Sequence, residues 1–274
     1  MRKSVLSLVL ISVIALLASA APASAQSGVV VTCNTGANIT NGVEVVVNMR
    51  SGFSYTATAI GINGFDPVLA VLDNAGNGLC TDDAVAASSY SANLPSSGFV
   101  PSSSLSSQVS FNNNQGGLAD VSLVVGGYNG AHGQFVLIVE GMAVTSADGS
   151  GLLAGDPFSV LVDQNLINSG TNLSAYMISR TTELDPLMRV FDDADALVYE
   201  CDDAGAATCV GQSSNLSGYY VSEEGGYQLP GYDLDSMLSL NLSQWRSGNA
   251  VNFLLTSFNQ SSFGDYVVAF HMGI

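Results

Sequence analysis

Past its first 25 residues the chain is one strand pattern written twice, and this duplication limits the possible folds more than any other feature. FDPVLAVLD at 65–73, followed by CTDDA at 80–84, returns as LDPLMRVFD at 184–192, followed by CDDA at 201–204. VPSSSLSSQVSFN (100–112) returns without a gap as LPGYDLDSMLSLN (229–241), so Pro101, Leu105, Ser107, Ser110 and Asn112 recur as Pro230, Leu234, Ser236, Ser239 and Asn241. Each copy closes on a Gly-x-aromatic-aliphatic strand, GQFVLIVEG at 133–141 and GDYVVAFH at 264–271. A repeat that keeps turns, strands and acidic pairs in order makes each copy a folding unit.

The pattern is all-β. Short runs rich in Val, Ile, Phe, Tyr and Thr alternate with Gly, Asn, Asp and Ser clusters, and no amphipathic helix of useful length appears. The predicted strands of the first copy are 43–48, 53–60, 66–72, 79–82, 107–112, 119–126 and 134–140. Those of the second are 157–162, 173–179, 186–192, 197–201, 236–241, 250–257 and 265–271. Seven or so strands in about 118 residues fit a two-sheet antiparallel sandwich whose apolar faces pack together. The expected organisation is a leader at 1–25, a first sandwich at 26–143, a linker at 144–156 and a second sandwich at 157–274. The two copies are expected to form separate sandwiches, with both closing strands inside a sheet because each is apolar on both faces. Each copy also holds a long irregular stretch directly after its acidic pair, 84–106 and 204–235. Stretches this long in compact domains commonly serve recognition.

The leader reads as a cleaved signal peptide: Arg2 and Lys3, an apolar run from Val5 to Leu17, and Ala23-Ser24-Ala25 before Gln26. No later segment approaches the roughly 20 apolar residues of a spanning helix, so the expectation is a secreted, extracellular or cell-surface protein without a membrane span. Four arginines against 23 acidic residues then give the mature part a net charge of −19. Such a surface repels phosphate backbones, which excludes nucleic acid as a partner. Four cysteines in an exported chain pair as two disulfides. Cys201 and Cys209 are close enough for a local bridge, which leaves Cys33 to join Cys80.

The acidic pairs carry the one constellation with chemical content. Folding the 68–82 hairpin about residues 75–76 sets Asp82 and Asp83 opposite residues 67–69, beside Asp66 and at the far end from the turn. The second copy, folded about 194–195, brings Asp202 and Asp203 beside Asp185. Three converging carboxylates repel one another, and a hard cation relieves that repulsion; Ca²⁺ takes six to eight oxygens at about 2.3–2.6 Å. The alternative is a set of solvated turn formers. Asp73 and Asp192, at the tight end of each hairpin, read as structural turn residues, whereas Asp193 and Asp195 could add a second, weaker site. Soft metals are disfavoured, because His132 and His271 are the only histidines.

The order of these features resembles the bacterial pre-peptidase C-terminal domain family. Both copies match, at FDPVLAVLDNAG, DD and GQFVLIVEG and at LDPLMRVFDDAD, DD and GDYVVAFH. The resemblance implies two tandem jelly-roll-like sandwiches, secretion, and an accessory role in calcium-stabilised binding or adhesion beside a catalytic domain. Two departures stand out: longer stretches after the acidic pair, and no catalytic domain in this sequence.

No HExxH, Gly-x-Ser-x-Gly or phosphate-binding glycine loop occurs, and the two histidines are not repeat-equivalent, so the chain reads as no enzyme. The expected function is non-enzymatic extracellular binding or adhesion, stabilised by calcium, toward a protein or glycan ligand. The alternatives are a carbohydrate-binding module using Tyr90, Tyr219, Tyr220, Tyr227, Tyr232 and Trp245, or an accessory protein to a secreted hydrolase.

Overall fold

The computed structural model describes residues 28–33, 36–83, 91–92, 100–101, 105–114, 117–146, 153–181, 183–203, 219–220, 228–229 and 235–274. The leader and Cys209 lie outside them. The first half contributes β1 (Val29–Val31), β2 (Ile39–Met49), β3 (Ser54–Ile62), β4 (Pro67–Leu72), β5 (Gly78–Thr81), β6 (Ser91–Ala92), β7 (Val100–Pro101), β8 (Ser107–Asn112), β9 (Ala119–Gly127) and β10 (Gln134–Ser146). The second contributes β11 (Leu153–Ala154), β12 (Asp156–Leu161), the short helix α1 (Gln164–Asn168), β13 (Leu173–Ser179), β14 (Pro186–Phe191), β15 (Leu197–Cys201), β16 (Tyr219–Tyr220), β17 (Gln228–Leu229), β18 (Ser236–Leu240), β19 (Ala250–Ser257) and β20 (Gly264–Gly273).

The strands form two large antiparallel sheets. One runs β15-β14-β19-β12-β2-β9-β4-β5, with β1 added on β2; the other runs β18-β13-β20-β10-β3-β8, with β11 added on β10. Each order reads the same from both ends once repeat-equivalent strands are matched. The sequence implied two separate sandwiches. In the structure the halves instead share both sheets, through β2–β12 in one and β10–β20 in the other. An isolated half would leave β2 and β10 as open, apolar edges. Pairing each with its counterpart satisfies the backbone donors and acceptors and closes the edge. The closing strands are therefore interior, as their apolar faces require.

The registers reveal a local two-fold axis. Gly133 corresponds to Gly264 in the repeat, so Ile138 corresponds to Ala269, and these two residues pair directly. In the other sheet Val46 pairs with Ser159, flanked symmetrically by Val47 with Phe158 and Val45 with Val160. A single core runs through both halves between the sheets, holding Val45, Leu69, Phe135, Phe158, Met188, Phe253 and Phe270 among others. Phe270 packs against Phe158 and Phe253 with ring centres 5.7 and 5.5 Å apart. In β10 a bulge shifts the register between Val139 and Met142. Gly141 has φ 90° there, and a Cβ would meet the Ser54 carbonyl oxygen at 2.1 Å, so only glycine fits this bend.

A buried polar cluster crosses the seam. Asp156, 1% exposed, accepts from Arg50 Nε at 2.7 Å and from the Tyr266 hydroxyl at 2.6 Å. Arg50 also reaches Thr145 Oγ1, and its backbone N–H donates to the Tyr55 hydroxyl at 2.9 Å. Burial pushes the Asp156 carboxyl above the usual carboxylate range, opposed by the Arg50 charge.

Cys33 and Cys80 are bonded, with Cα atoms 5.6 Å apart, tying the segment after β1 to β5. Cys201 is also disulfide-bonded. Among the described residues no helix is long and apolar enough to cross a membrane.

Candidate metal centres

The hairpin β4–β5 is built by its turn. Asp73 Oδ1 accepts from the N–H groups of Ala75 and Asn77 at 2.9 and 2.8 Å, and the Asp73 N–H donates to the Asn77 carbonyl at 2.8 Å. These bonds, that from Asn77 foremost, hold the Asp73 carboxyl below its ordinary range. Asp192 does the same for β14–β15, accepting from Ala194 and Ala196 at 2.9 and 3.0 Å. Both act as turn residues. Asp193 is engaged at this same end, where its Oδ1 accepts from the Ala250 N–H at 3.1 Å. Among the described residues neither Asp193 nor Asp195 joins an acidic cluster.

The turn fixes the register, and the register delivers the acids. Leu69 pairs with Thr81 and Leu72 with Gly78. Continuing that ladder sets Asp82 across from Val68 and Asp83 across from Pro67, next to Asp66. In the second half Met188 pairs with Cys201, which carries Asp202 and Asp203 to the level of Leu187 and Pro186, next to Asp185. One carboxylate oxygen from each of Asp66, Asp82 and Asp83 lies within 4.8 Å of the others, and the same holds for Asp185, Asp202 and Asp203.

Two supports hold each triad in place. The Ser107 hydroxyl lies 2.7 Å from the Pro67 carbonyl and 3.3 Å from the Thr81 carbonyl, bridging the ends of the two strands. Ser236 spans the Pro186 and Asp202 carbonyls in the same way, at 2.5 and 2.7 Å. The second support is a 3₁₀ turn after β9 or β19. The Tyr128 N–H donates to the Asp66 carbonyl and the Phe258 N–H to the Asp185 carbonyl, each at 2.9 Å. Asn129 and Asn259, with φ 53° and 51°, bend these turns; asparagine is the side chain that best tolerates this region after glycine. Sequence reasoning missed both supports. Their signal was visible as recurrence, since Ser107 returns as Ser236 and an aromatic-Asn pair follows β9 and β19 alike.

Burial and mutual repulsion act on the triads together. Burial pushes the Asp82 carboxyl up, with the Asp83 charge adding to it. The Asp185 carboxyl rises through burial and the Asp203 charge. Asp202 is pushed up to about 6, first by burial and then by Asp185, Asp203 and Glu200. The Oδ1 atoms of Asp82, Asp185 and Asp202 are buried without a hydrogen-bond partner. A half-buried carboxylate in that condition gains from a proton or from a cation.

The other candidate residues are placed differently. His271 is buried in β20, with Nε2 3.3 Å from Gln134 Oε1, and burial depresses it to about 4, so it is neutral at physiological pH. Trp245 borders a cleft of about 360 Å³ with Tyr199 and Arg246, beside the β14–β15 turn. Tyr90, Tyr227 and Tyr232 lie outside the described residues. No protein-family model matches this chain, and no curated protein matches it.

Proposed function

We propose that this is an exported, non-enzymatic protein of two jelly-roll-like β-sandwich halves, stabilised by calcium, that acts in extracellular binding or adhesion. The carrying observation is the carboxylate triad built twice by one set of devices: an Asp-capped hairpin, a serine clamp and a 3₁₀ turn. Two oxygens on opposite sides of one Ca²⁺ stand about 4.8 Å apart, twice the usual Ca–O distance, and the oxygens of each triad fit inside that span. Asp66, Asp82 and Asp83 would hold one ion, and Asp185, Asp202 and Asp203 the other. The ion would offset the mutual repulsion of the carboxylates in each triad. The Cys33–Cys80 bond favours an oxidising compartment. Accessory service to a separate secreted hydrolase is a narrower form of the same reading.

The test is calcium-dependent stability. At 100-fold excess over its dissociation constant, one site adds about 2.7 kcal/mol, a shift of several degrees in Tm. Asp82→Asn with Asp83→Asn should remove one of two bound ions, and Asp202→Asn with Asp203→Asn the other. A Tm indifferent to chelator, together with no calcium by elemental analysis, would reduce both triads to empty acidic turns.

A further inference from the structure

At the tight end of the β14–β15 hairpin, the end away from the triad, a cleft of about 360 Å³ opens between two walls. One wall is the hairpin itself, whose turn Asp192 pins by accepting from the Ala194 and Ala196 N–H groups. The other is the segment between β18 and β19. There Asn241 caps the 3₁₀ turn Leu242–Gln244 by accepting from the Ser243 N–H at 2.9 Å, and Leu242 is buried in the core. Asn249 is tied to the residue after β12, its carbonyl accepting from the Val162 N–H at 2.8 Å. Asp193 joins the two walls, since its Oδ1 accepts from the Ala250 N–H. The cleft is therefore preformed, which spares a ligand the cost of ordering it.

Its lining is chemically mixed. Tyr199 and Trp245 pack against the core and, being only partly buried, also border the cleft. Around them stand Asp193, Gln244, Arg246 and Asn249. Arg246 is exposed and makes no ion pair among the described residues, whereas Arg50, Arg180 and Arg189 each make one. Two rigid rings supply contact area at little entropic cost, and the groups beside them supply both donors and acceptors. An anionic ligand would face Asp192 and Asp193, and a cationic one would face Arg246. A neutral sugar meets neither conflict: its C–H face stacks on a ring, and its hydroxyls both donate and accept. The volume lies at the small end of the range for small-molecule sites, which suits a short sugar segment or a chain end.

The first half offers an internal comparison. A cleft of about 630 Å³ lies at the same place, beside the β4–β5 turn that Asp73 holds. Leu79 pairs with Val71 and Tyr199 with Val190, and Val71 is the repeat counterpart of Val190, so Leu79 stands where Tyr199 does. Amides of Asn74, Asn77 and Asn112 are on its rim, and among the described residues no tryptophan or arginine lines it. The Asp-capped turn, the triad and the serine clamp are common to both halves. The ring pair and the arginine belong to the second half alone.

We propose that the Trp245 cleft is a binding site for a neutral saccharide, stacked on Trp245 and Tyr199 and hydrogen-bonded by Arg246 and Asn249. This gives a ligand class and a site to the extracellular binding proposed above, and it rests on that reading. It does not rest on calcium, because the triad lies at the other end of the same hairpin.

Trp245 is the single tryptophan of the chain, so its emission reports on the cleft directly. The probes are short oligosaccharides of glucose, galactose, mannose and N-acetylglucosamine, titrated into the purified protein in calcium and in chelator. At least one should change the emission saturably, with the same dissociation constant by calorimetry. Tyr199→Ala should weaken that binding about tenfold, and Arg246→Ala at least threefold. Asn74→Ala, at the first-half cleft, should leave it unchanged. Should Tyr199→Ala fail to fold, as its Tm would report, Arg246→Ala carries the test, because that side chain is exposed. Sugar binding that persists while Tm proves indifferent to chelator would sink the triads and uphold the cleft. Three results would overturn the proposal. One is no response to any probe, which leaves the calcium reading intact wherever Tm is chelator-sensitive. Another is binding unaffected by either variant in folded protein, which places the sugar elsewhere. The third is a saturable response to a proline-rich peptide and to no sugar, which gives the cleft to a protein partner.

Discussion

The seam between the halves depends on one buried charge, and removing its partner should be costly. Asp156 is 1% exposed and accepts from Arg50 Nε and the Tyr266 hydroxyl. In Asp156→Asn the Arg50 guanidinium loses its counter-charge, and the new amide turns a donor toward groups that are themselves donors. Breaking a buried pair from one side costs about 3–5 kcal/mol. Arg50→Leu leaves the carboxylate buried instead, which can escape by taking up a proton. The sign follows from its folded pKa, already above the unfolded value and raised further once the cation is gone. The folded state then binds the proton more tightly, so stability increases as pH falls through the folded pKa toward the unfolded one. Arg50→Leu should therefore recover part of its lost stability between pH 7 and pH 5, and Asp156→Asn should recover none from this group. With Arg50→Leu and Asp156→Asn combined no unpaired charge remains, and the loss should fall short of the summed single losses by about 2–3 kcal/mol. Urea unfolding followed by intrinsic fluorescence at both pH values measures all three variants. Single-variant losses below about 1 kcal/mol, or strict additivity in the double variant, would refute the reasoning.

Two further outcomes are expected. In chelator the folded pKa of Asp202, about 6, stands above its unfolded value, so stability should decline as pH rises from about 4 to 6. Water reaching this half-buried site limits the effect to about 1 kcal/mol; Asp202→Asn should flatten the profile, which thermal melts across that range would show. Replacing Cys33 and Cys80 together by Ala opens a bridge spanning 47 residues. The chain-entropy model puts the loss at about 4 kcal/mol, measurable as a fall in Tm insensitive to reductant at that bridge.

Local structure was largely legible, because it is written in neighbouring residues. The 107–112, 173–179, 197–201 and 250–257 strands appear with the bounds the sequence implies. Folding the hairpin about residues 75–76 set Asp82 and Asp83 opposite residues 67–69, within one residue of the observed ladder, in which Leu69 pairs with Thr81. Turn chemistry and alternation determine such features within a dozen residues. The partners of β2 and β10 were not legible. Strand β10 is apolar on two faces and β2 on one, which demands neighbours, but any strand with a free edge meets that demand. Only the repeat itself held the cue, since a duplicated edge can pair with its own copy. Arg50 and Asp156, more than a hundred residues apart, show no periodic relation that would single them out. The cluster formed by residues 66, 82 and 83 was visible in the hairpin, whereas its serine clamp comes from β8, in the other sheet.

The two-fold arrangement also explains why the Arg50–Asp156 ion pair occurs at one end of the seam only. Taking Val46 and Ser159 as the axial pair, Arg50 corresponds to Asp163, Asp156 to Val43 and Tyr266 to Phe135. At this second end Asp163 Oδ1 caps α1 by accepting from the Leu166 N–H at 2.7 Å, while Val43 and Phe135 are buried apolar residues. An assembly of two identical halves would need the same contacts at both ends. A single chain is released from that requirement, and one network suffices to fix how the halves meet. A buried ion pair is a poor source of net stability compared with apolar side chains of like volume, but its geometry tolerates few alternatives. Apolar β edges, by contrast, can slip by two residues and still bury the same kind of surface. The Arg50–Asp156–Tyr266 cluster thus acts as a register key for the β2–β12 and β10–β20 pairs. The triads, which face away from the seam, are free to remain symmetric.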